Sequence, residues 1–143
     1  MGKVGVVLGI GVDLLKTSRF QQLLLKHEKQ VNSDFAKRLS QRILHPKREL
    51  PSFEEAAEAN DLRRCTLILS GSWAAKEAAF KSLDIEDQSE FQFKDWYRFY
   101  NGRGKPYIQS DDYQLKNPDE EFLLSISHDV DLLVAYVTRQ LLK

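Results

Sequence analysis

The chain has 143 residues, 42% of them hydrophobic and 29% charged, which indicates a single folded domain over residues 1–143 and excludes an intrinsically disordered protein. Basic and acidic residues balance to a net charge of zero, so the molecule as a whole lacks the positive charge typical of nucleic-acid-binding proteins. Its one cysteine, Cys65, excludes an internal disulfide and a cysteine-based metal cluster. The longest apolar runs are shorter than the roughly 20 residues that a transmembrane helix needs.

The first third of the chain predicts one strand followed by two helices. Residues 4–12 are apolar and rich in β-branched side chains, which predicts a buried strand ending at Asp13, with no arginine-rich presequence before it. Ser18, with Gln21 three residues later, has the capping-box pattern that opens a helix. A second helix is predicted over residues 33–44 from its apolar stripe.

The middle of the chain is predicted to be mainly helical. Ser52 and Glu55 form another capping-box pattern, which predicts a helix over residues 53–60. Residues 62–69 are consistent with either a strand or a buried helix, because a short apolar run does not distinguish them. Residues 72–83 are rich in alanine and contain no proline, which predicts a helix.

The last third predicts antiparallel strands, with a turn at residues 101–104. Together with the preceding helices they indicate an α+β domain. The predicted strands comprise Phe91 with Phe93 and residues 96–100, then 105–109, 122–127 and 132–138.

Three sets of polar residues are candidates for a functional site. Asp13 follows the predicted first strand, where a functional carboxylate and an ordinary turn or capping residue look alike. Glu77 and Lys81 lie four residues apart in a predicted helix, so they form either a surface ion pair or a metal-binding acid beside a phosphate-binding base. His128 precedes Asp129 at a strand end and could serve as a base, a phosphate ligand or part of a capped turn.

Other familiar sites are not supported by the pattern. Gly9 and Gly11 lack the third glycine and the helix-opening context of a dinucleotide-binding fingerprint. The adjacent serine, histidine and aspartate at 127–129 do not indicate a triad, whose members converge in space from separate positions. His27, His45 and His128 are too scattered for a zinc site.

Four motifs in order carry a family resemblance. They are Gly9-Ile10-Gly11-Val12-Asp13 with Ser18-Arg19-Phe20, Trp73-Ala74-Ala75-Lys76-Glu77-Ala78-Ala79-Phe80-Lys81, Gly104-Lys105-Pro106 and Ser125-Ile126-Ser127-His128-Asp129. This order resembles the phosphopantetheinyl transferase superfamily, and the spacing is similar to that of its short holo-acyl-carrier-protein-synthase group. The resemblance covers residues 5–139. It implies the α+β fold of that family, in which an antiparallel sheet packs with helices.

The resemblance also implies which residues act. Asp13 and Glu77 correspond to ligands of Mg²⁺, and Glu77 and Lys81 to catalytic residues. Lys81, Lys105 and His128 correspond to contacts with coenzyme A, the co-substrate. The implied reaction transfers 4′-phosphopantetheine from coenzyme A to a carrier-protein serine and releases adenosine 3′,5′-bisphosphate. Two protein carboxylates suit Mg²⁺, and the serine proton would pass either to Glu77 or to a metal-bound water.

The implied partner is an acyl carrier protein, which is acidic around its modified serine. Arg19 is similar to the family's carrier-contacting residue, and Lys37, Arg38 and Arg42 add positive charge in the same third of the chain. These residues are either a docking face for an acidic helix or solvated helix faces. No nucleic-acid or membrane partner is expected.

The remaining expectations concern assembly and location. The resemblance implies a homotrimer with coenzyme A in clefts between subunits, and a role in fatty acid biosynthesis. Gly71-Ser72-Trp73 is similar to the fungal forms and indicates the mitochondrial matrix, with the cytoplasm as the alternative. There are two rival hypotheses. The first is a degenerate transferase that binds coenzyme A or a carrier protein without catalysing a reaction, and the acidic and basic residues of the motifs argue against it. The second is a nucleotide- or nucleic-acid-binding domain that uses the basic helices.

Overall fold

The computed structural model describes residues 4–26 and 31–143, and its strands form one antiparallel sheet in the order β1-β5-β4-β3-β2. The strands are β1 (Gly5–Lys16), β2 (Trp96–Tyr100), β3 (Pro106–Ser110), β4 (Glu120–Asp129) and β5 (Leu132–Leu142). The helices are α1 (Thr17–Leu24), α2 (Asp34–Ile43), α3 (Leu50–Glu58), α4 (Leu62–Ser82), α5 (Ile85–Gln88) and α6 (Asp111–Lys116), with a 3₁₀ turn at Phe93–Asp95. The predicted α+β class is confirmed. In the described ranges, no helix has the length and apolar character to cross a bilayer.

Strand β1 is longer and more exposed than its sequence predicts. Asp13 does not end the strand but pairs with Ala135 inside it, and pairing continues to Lys16. The predicted burial is also wrong, because β1 is an edge strand whose outward side chains are exposed: Ile10, Val12 and Leu14 are 58%, 52% and 65% exposed. Apolar residues on both faces predict burial of both, but α4 covers only one.

Glycines on β1 allow helix α4 to lie directly against the strand backbone. A Cβ atom added at Gly11 would lie 1.9 Å from the carbonyl oxygen of Ala78, and one at Gly9 would lie 2.1 Å from that of Ser82. No side chain fits into such gaps. The two glycines therefore fix where α4 crosses β1.

Helix α4 is one continuous element of 21 residues, which shows that residues 62–69 are helix and that the alanine-rich segment continues them. Asp61 caps its first turn by accepting a hydrogen bond from the Arg64 amide at 3.1 Å. Cys65 and Leu69 are fully buried and join the hydrophobic core. The length of α4 carries it across β1 and β5.

Of the predicted starts of α1, α2 and α3, only that of α2 agrees with the structure. Ser33 caps α2, with its hydroxyl accepting from the Ala36 amide at 3.1 Å. Ser52 does not open α3, which starts at Leu50. The predicted capping box at Ser18 is also wrong, because the Ser18 hydroxyl donates to the Asp131 carboxylate at 2.9 Å instead of capping its own helix.

The predicted hairpins are confirmed, with β4 and β5 longer than predicted. Strand β2 pairs with β3 across the turn at residues 101–105, and β4 pairs with β5 along its whole length. Phe91 and Phe93 are not strand residues as predicted: Phe93 opens the 3₁₀ turn, and both rings pack in an aromatic cluster with Trp96. Their burial comes from ring packing, which has no periodicity to detect.

Candidate active site

Asp13 and Lys81 meet where helix α4 crosses strand β1. The Lys81 ammonium donates to a carboxylate oxygen of Asp13 at 3.2 Å and to the carbonyl oxygen of Val12 at 2.9 Å. The Lys81 side chain passes over Gly11, where an added Cβ would lie 3.1 Å from that of Lys81. The glycine that admits the helix therefore also admits this lysine.

Glu77 belongs to the same group. Burial and the nearby negative charge of Asp13 raise the pKa of the Glu77 carboxyl, while the positive charge of Lys81 lowers it. Glu77 lies one turn before Lys81 on α4, beside Ala78, whose carbonyl faces β1. The structure thus joins three residues that are far apart along the chain, two of them acidic and one basic.

The donor set of this group suits a small divalent cation. Two carboxylates that repel each other are stabilised by a cation between them. Mg²⁺ is typically held by one or two protein carboxylates, with water and substrate phosphates completing its ligands. Within residues 4–26 and 31–143, no three His, Cys, Asp or Glu side chains cluster as a metal site.

His128 lies in a different place. His128 is exposed and lines a cavity of about 620 Å³. The α4 residues that line the same cavity belong to the first two turns of that helix, far from Glu77. Ten residues, about 15 Å along a helix axis, separate Leu67 from Glu77. A single chain therefore does not bring His128 to the acidic pair. The cavity residues are Thr17, Gln21, Leu62, Arg63, Thr66, Leu67, His128 and Val130.

The cavity beside His128 has polar groups that suit a phosphorylated ligand. The Thr66 residue is 6% exposed, and its hydroxyl has no hydrogen-bond partner among the described residues. Arg63 contributes a guanidinium group to the same lining. A buried hydroxyl without a partner is costly, and an anionic oxygen from a ligand would satisfy it.

Lys105 is separated from both sites. It is exposed in the turn between β2 and β3, where its amide donates to the Asn101 side chain at 2.9 Å. Strands β1 and β2 form opposite edges of the sheet. Within one chain, the predicted coenzyme contacts Lys81, Lys105 and His128 thus lie in three different regions.

The predicted carrier-binding residues are all exposed, and two of them share a surface. Arg38 and Arg42 of α2 line a shallow depression of about 350 Å³ together with Lys94 of the 3₁₀ turn. Lys94 was not predicted from the sequence, because the chain folds it beside α2 from more than fifty residues away. Lys37 and Arg19 are exposed on α2 and α1.

Asp131 is a further residue that the sequence does not single out. Its carboxylate accepts hydrogen bonds from the Thr17 hydroxyl at 3.0 Å, the Ser18 amide at 2.8 Å and the Ser18 hydroxyl at 2.9 Å. These bonds hold the pKa of Asp131 below its usual range, those from Ser18 contributing most. Asp131 therefore anchors the start of α1 to the β4–β5 turn that follows His128. The two partners are 113 residues apart in the sequence, so no local sequence pattern predicts this contact.

Comparisons with known proteins agree with this fold. Residues 9–137 match the family model of the 4′-phosphopantetheinyl transferase superfamily. The chain is 30% identical to the mitochondrial holo-[acyl-carrier-protein] synthase of Eremothecium gossypii, over 92% of this chain and 78% of that protein. It is 32% identical to the holo-[acyl-carrier-protein] synthase of Geobacillus kaustophilus, over 92% and 88%.

A solved structure of similar fold is the holo-(acyl-carrier-protein) synthase of Bacillus anthracis in complex with CoA, with a TM-score of 0.63 at 25% identity over 94% of this chain and 96% of that one. The family resemblance seen in the sequence motifs is thereby confirmed. Through its family-model match, its relatives and its fold, the chain belongs to the 4′-phosphopantetheinyl transferase superfamily.

Proposed function

We propose that this enzyme transfers 4′-phosphopantetheine from coenzyme A to a serine of an apo acyl carrier protein, with Mg²⁺ bound by Asp13 and Glu77. The serine oxygen forms a bond to the β-phosphorus of coenzyme A, and the bond from that phosphorus to the bridging oxygen breaks. Adenosine 3′,5′-bisphosphate leaves with the bridging oxygen, and the serine proton passes to a base. The observation that carries the proposal is the meeting of Asp13, Glu77 and Lys81 at the β1–α4 crossing.

These three residues divide the work of phosphoryl transfer, in which positioning and charge stabilisation dominate. Bound Mg²⁺ would supply charge neutralisation at the phosphate oxygens. Lys81 is half-exposed, so its ammonium can leave Asp13 for a substrate phosphate as a mobile point charge. The serine proton would pass either to Glu77 directly or to a water bound to the metal.

The active enzyme is a homotrimer in this proposal, with sites shared between copies. The outward face of β1 presents exposed apolar side chains, and Tyr136 of β5 extends the same face at 43% exposure. Contiguous apolar surface of this kind marks a protein contact. Such a contact lets the His128 cavity of one copy, with Arg63 and Thr66, bind coenzyme phosphate beside the acidic pair of the next copy.

The carrier protein docks on the basic helices. Arg19 projects from α1, and Arg38 and Arg42 from α2, all exposed on a chain of zero net charge. A local positive surface attracts an acidic helix and speeds its association. Similarity to mitochondrial relatives supports a role in fatty acid biosynthesis in the mitochondrial matrix, with the bacterial relatives leaving cytoplasm as the alternative.

The reaction is tested by mass spectrometry. Apo carrier protein, coenzyme A and Mg²⁺ are mixed with the enzyme, and the phosphopantetheine mass increment on the carrier is measured. We expect the increment with wild type and its loss, by at least about a hundredfold in rate, with Asp13→Asn or Glu77→Gln. Glu90→Gln, which changes an exposed acid of a surface ion pair, serves as the matched control. If the wild type is inactive on several carriers, including a mitochondrial one, the transferase function is refuted. If either site variant keeps full activity, that residue is not a metal ligand.

Shared sites are tested by mixing two inactive variants. A Glu77→Gln copy and a His128→Ala copy, co-refolded in equal amounts, would regain up to about a quarter of wild-type activity, because random assembly pairs intact halves at one interface in four. No recovery in mixed trimers would mean that each site is complete within one chain. Light scattering reports the assembly, and a monomer would exclude the trimer.

The docking face is tested by charge reversal. Arg19→Glu should raise KM for the carrier about tenfold while KM for coenzyme A stays unchanged, since an exposed charge contributes to encounter and not to chemistry. Lys116→Glu reverses an exposed charge on α6 and is the control. An unchanged KM for the carrier in Arg19→Glu would remove α1 from the docking face.

A further inference from the structure

Lys76 is a fully buried lysine directly beside Glu77. Its ammonium donates to the carbonyl oxygen of Ile43 at 2.5 Å and to the carboxylate of Glu49 at 2.6 Å. Ile43 is the last residue of α2, where carbonyl groups present partial negative charge. Glu49 precedes the first residue of α3. Lys76 thus reaches from α4 into the junction between two other helices.

Glu49 is itself held from several sides. Its carboxylate accepts from the His45 amide at 2.9 Å, the Ser72 hydroxyl at 3.3 Å and the Arg98 amide at 3.3 Å, besides Lys76. Glu49 is only 8% exposed. A carboxylate with this many donors in several elements has one position, so the ammonium bound to it has one position as well.

Stability alone does not account for this ion pair. Burying two charges costs desolvation that their attraction offsets only in good geometry, and apolar residues often replace such pairs without loss of stability. A better-attested use of buried ionic groups is to select one packing arrangement among several. Beside Glu77, the buried residues of α4 include the small Ala74, Ala75, Ala78 and Ala79, while Trp73 and Phe80 pack against other aromatic rings. The bonds of Lys76 add direction to these apolar contacts.

The rotation of α4 about its axis decides where Glu77 points. A side-chain group about 6 Å from the helix axis moves by about 1 Å when the helix turns by about 10°. A misplacement of about 1 Å can lower a reaction rate about a hundredfold. Gly11 fixes the height at which α4 approaches β1, whereas Lys76 is bonded on the side of the α2–α3 junction and resists rotation.

We infer that Lys76, held by Glu49, is a positioning residue that sets the rotation of α4 so that Glu77 faces Asp13. This role rests on the proposed transferase function, and it assigns Lys76 no contact with substrate. Loss of the pair should therefore lower kcat far more than it changes KM for the carrier, because Lys76 contacts α2 only at its last carbonyl group while Arg38 and Arg42 are exposed on that helix.

The decisive variant is Glu49→Gln/Lys76→Met, which removes both charges of the buried pair. Arg98, whose Nε lies 4.0 Å from the Glu49 carboxylate, loses that ion pair but keeps its hydrogen bond to the Ser72 hydroxyl at 3.2 Å. We expect a folded protein by circular dichroism, kcat reduced at least tenfold, and KM for the carrier within twofold of wild type. Glu90→Gln/Lys116→Met neutralises an exposed ion pair and is the matched control, expected at wild-type kcat. A folded double variant with kcat within threefold of wild type would overturn the inference.

A milder variant covers failure to fold. Glu49→Gln keeps an oxygen acceptor for Lys76 and removes only the charge, so we expect at least a threefold fall in kcat at unchanged KM. If the double variant unfolds and Glu49→Gln keeps wild-type kcat, Lys76 serves stability alone and the inference is wrong. An inactive wild type would instead refute the transferase function, so the two failures are distinguishable.

Discussion

The close approach of α4 to β1 leads to a sharp prediction for Gly11→Ala. The new methyl group would lie 1.9 Å from the carbonyl oxygen of Ala78, whereas ordinary contacts begin near 3.4 Å. Helix α4 must retreat by about 1.5 Å, the difference between those distances. Overpacking typically costs about 1–3 kcal/mol, and a clash with backbone atoms should place this variant at or above the upper end of that range. Native domains are stable by about 5–15 kcal/mol, so we expect a destabilised but folded variant.

The catalytic effect should be measurable separately from the effect on stability. Glu77 adjoins Ala78, so the retreat carries it away from Asp13, and a shift of about 1 Å can cost about a hundredfold in rate. We expect kcat to fall between about tenfold and a hundredfold in the mass-increment assay, run well below the Tm of the variant. KM for the carrier should change less than kcat, because Arg19, Arg38 and Arg42 are exposed surface residues away from the Gly11–Ala78 contact.

Gly102→Ala is the matched control for this experiment. Gly102 lies in the β2–β3 turn, has a negative φ, and would place an added Cβ more than 4 Å from any described atom beyond its two chain neighbours. It should keep wild-type kcat and Tm. Gly11→Ala with kcat within twofold of wild type would show that the β1–α4 contact does not position Glu77, and the proposed site would then lose its structural basis.

Three further predictions concern buried and capping groups. Burial raises the pKa of the Cys65 thiol to about 11, so a thiol reagent at pH 8 should label it only on unfolding; rapid labelling of native protein would contradict its burial. Arg139→Met removes the cation that pairs with the Glu120 carboxylate, which among the described residues keeps only the hydrogen bond from the Tyr113 hydroxyl. This should lower the free energy of unfolding in urea by about 3 kcal/mol, and a loss below about 1 kcal/mol would contradict the prediction. Because the Asp131 pKa is lowered, its anchoring of α1 is present above about pH 4 and lost as pH falls through the lowered value. The Tm advantage of wild type over Asp131→Ala should therefore vanish below that pH, and an advantage kept in strong acid would refute the mechanism.

The sequence predicts elements well where the local pattern matches the tertiary environment. The helix predicted over residues 33–44 from its apolar stripe forms as α2, and the β2–β3 and β4–β5 hairpins lie where turn residues separate apolar runs. Ser18 fails because a competing acceptor, Asp131, reaches it from the far end of the chain. A capping box is a local preference, and a charged acceptor brought by the fold outweighs it.

The candidate site is only partly readable from the sequence. Motif order points to Asp13, Glu77, Lys81 and His128, but order carries no distances. The structure gathers the first three and leaves His128 near the first turns of α4. The sequence does not predict the role of Lys76, although it adjoins Glu77, because a lysine in an alanine-rich helix is typical of a solvent-exposed position. Only the fold shows its partners, Ile43 and Glu49.

The glycines of the first motif link these observations. As a sequence, Gly9 and Gly11 look like an incomplete nucleotide-binding loop, and that interpretation fails for want of a third glycine. In the fold they are the places where the backbone of α4 touches β1. The first motif and the alanine-rich motif are therefore two sides of one contact: the glycines admit the helix, and the helix then presents Glu77 and Lys81 to Asp13. The spacing from Gly11 to Asp13 follows from strand geometry, because residues two apart share a face, so the acid points to the side on which the helix lies.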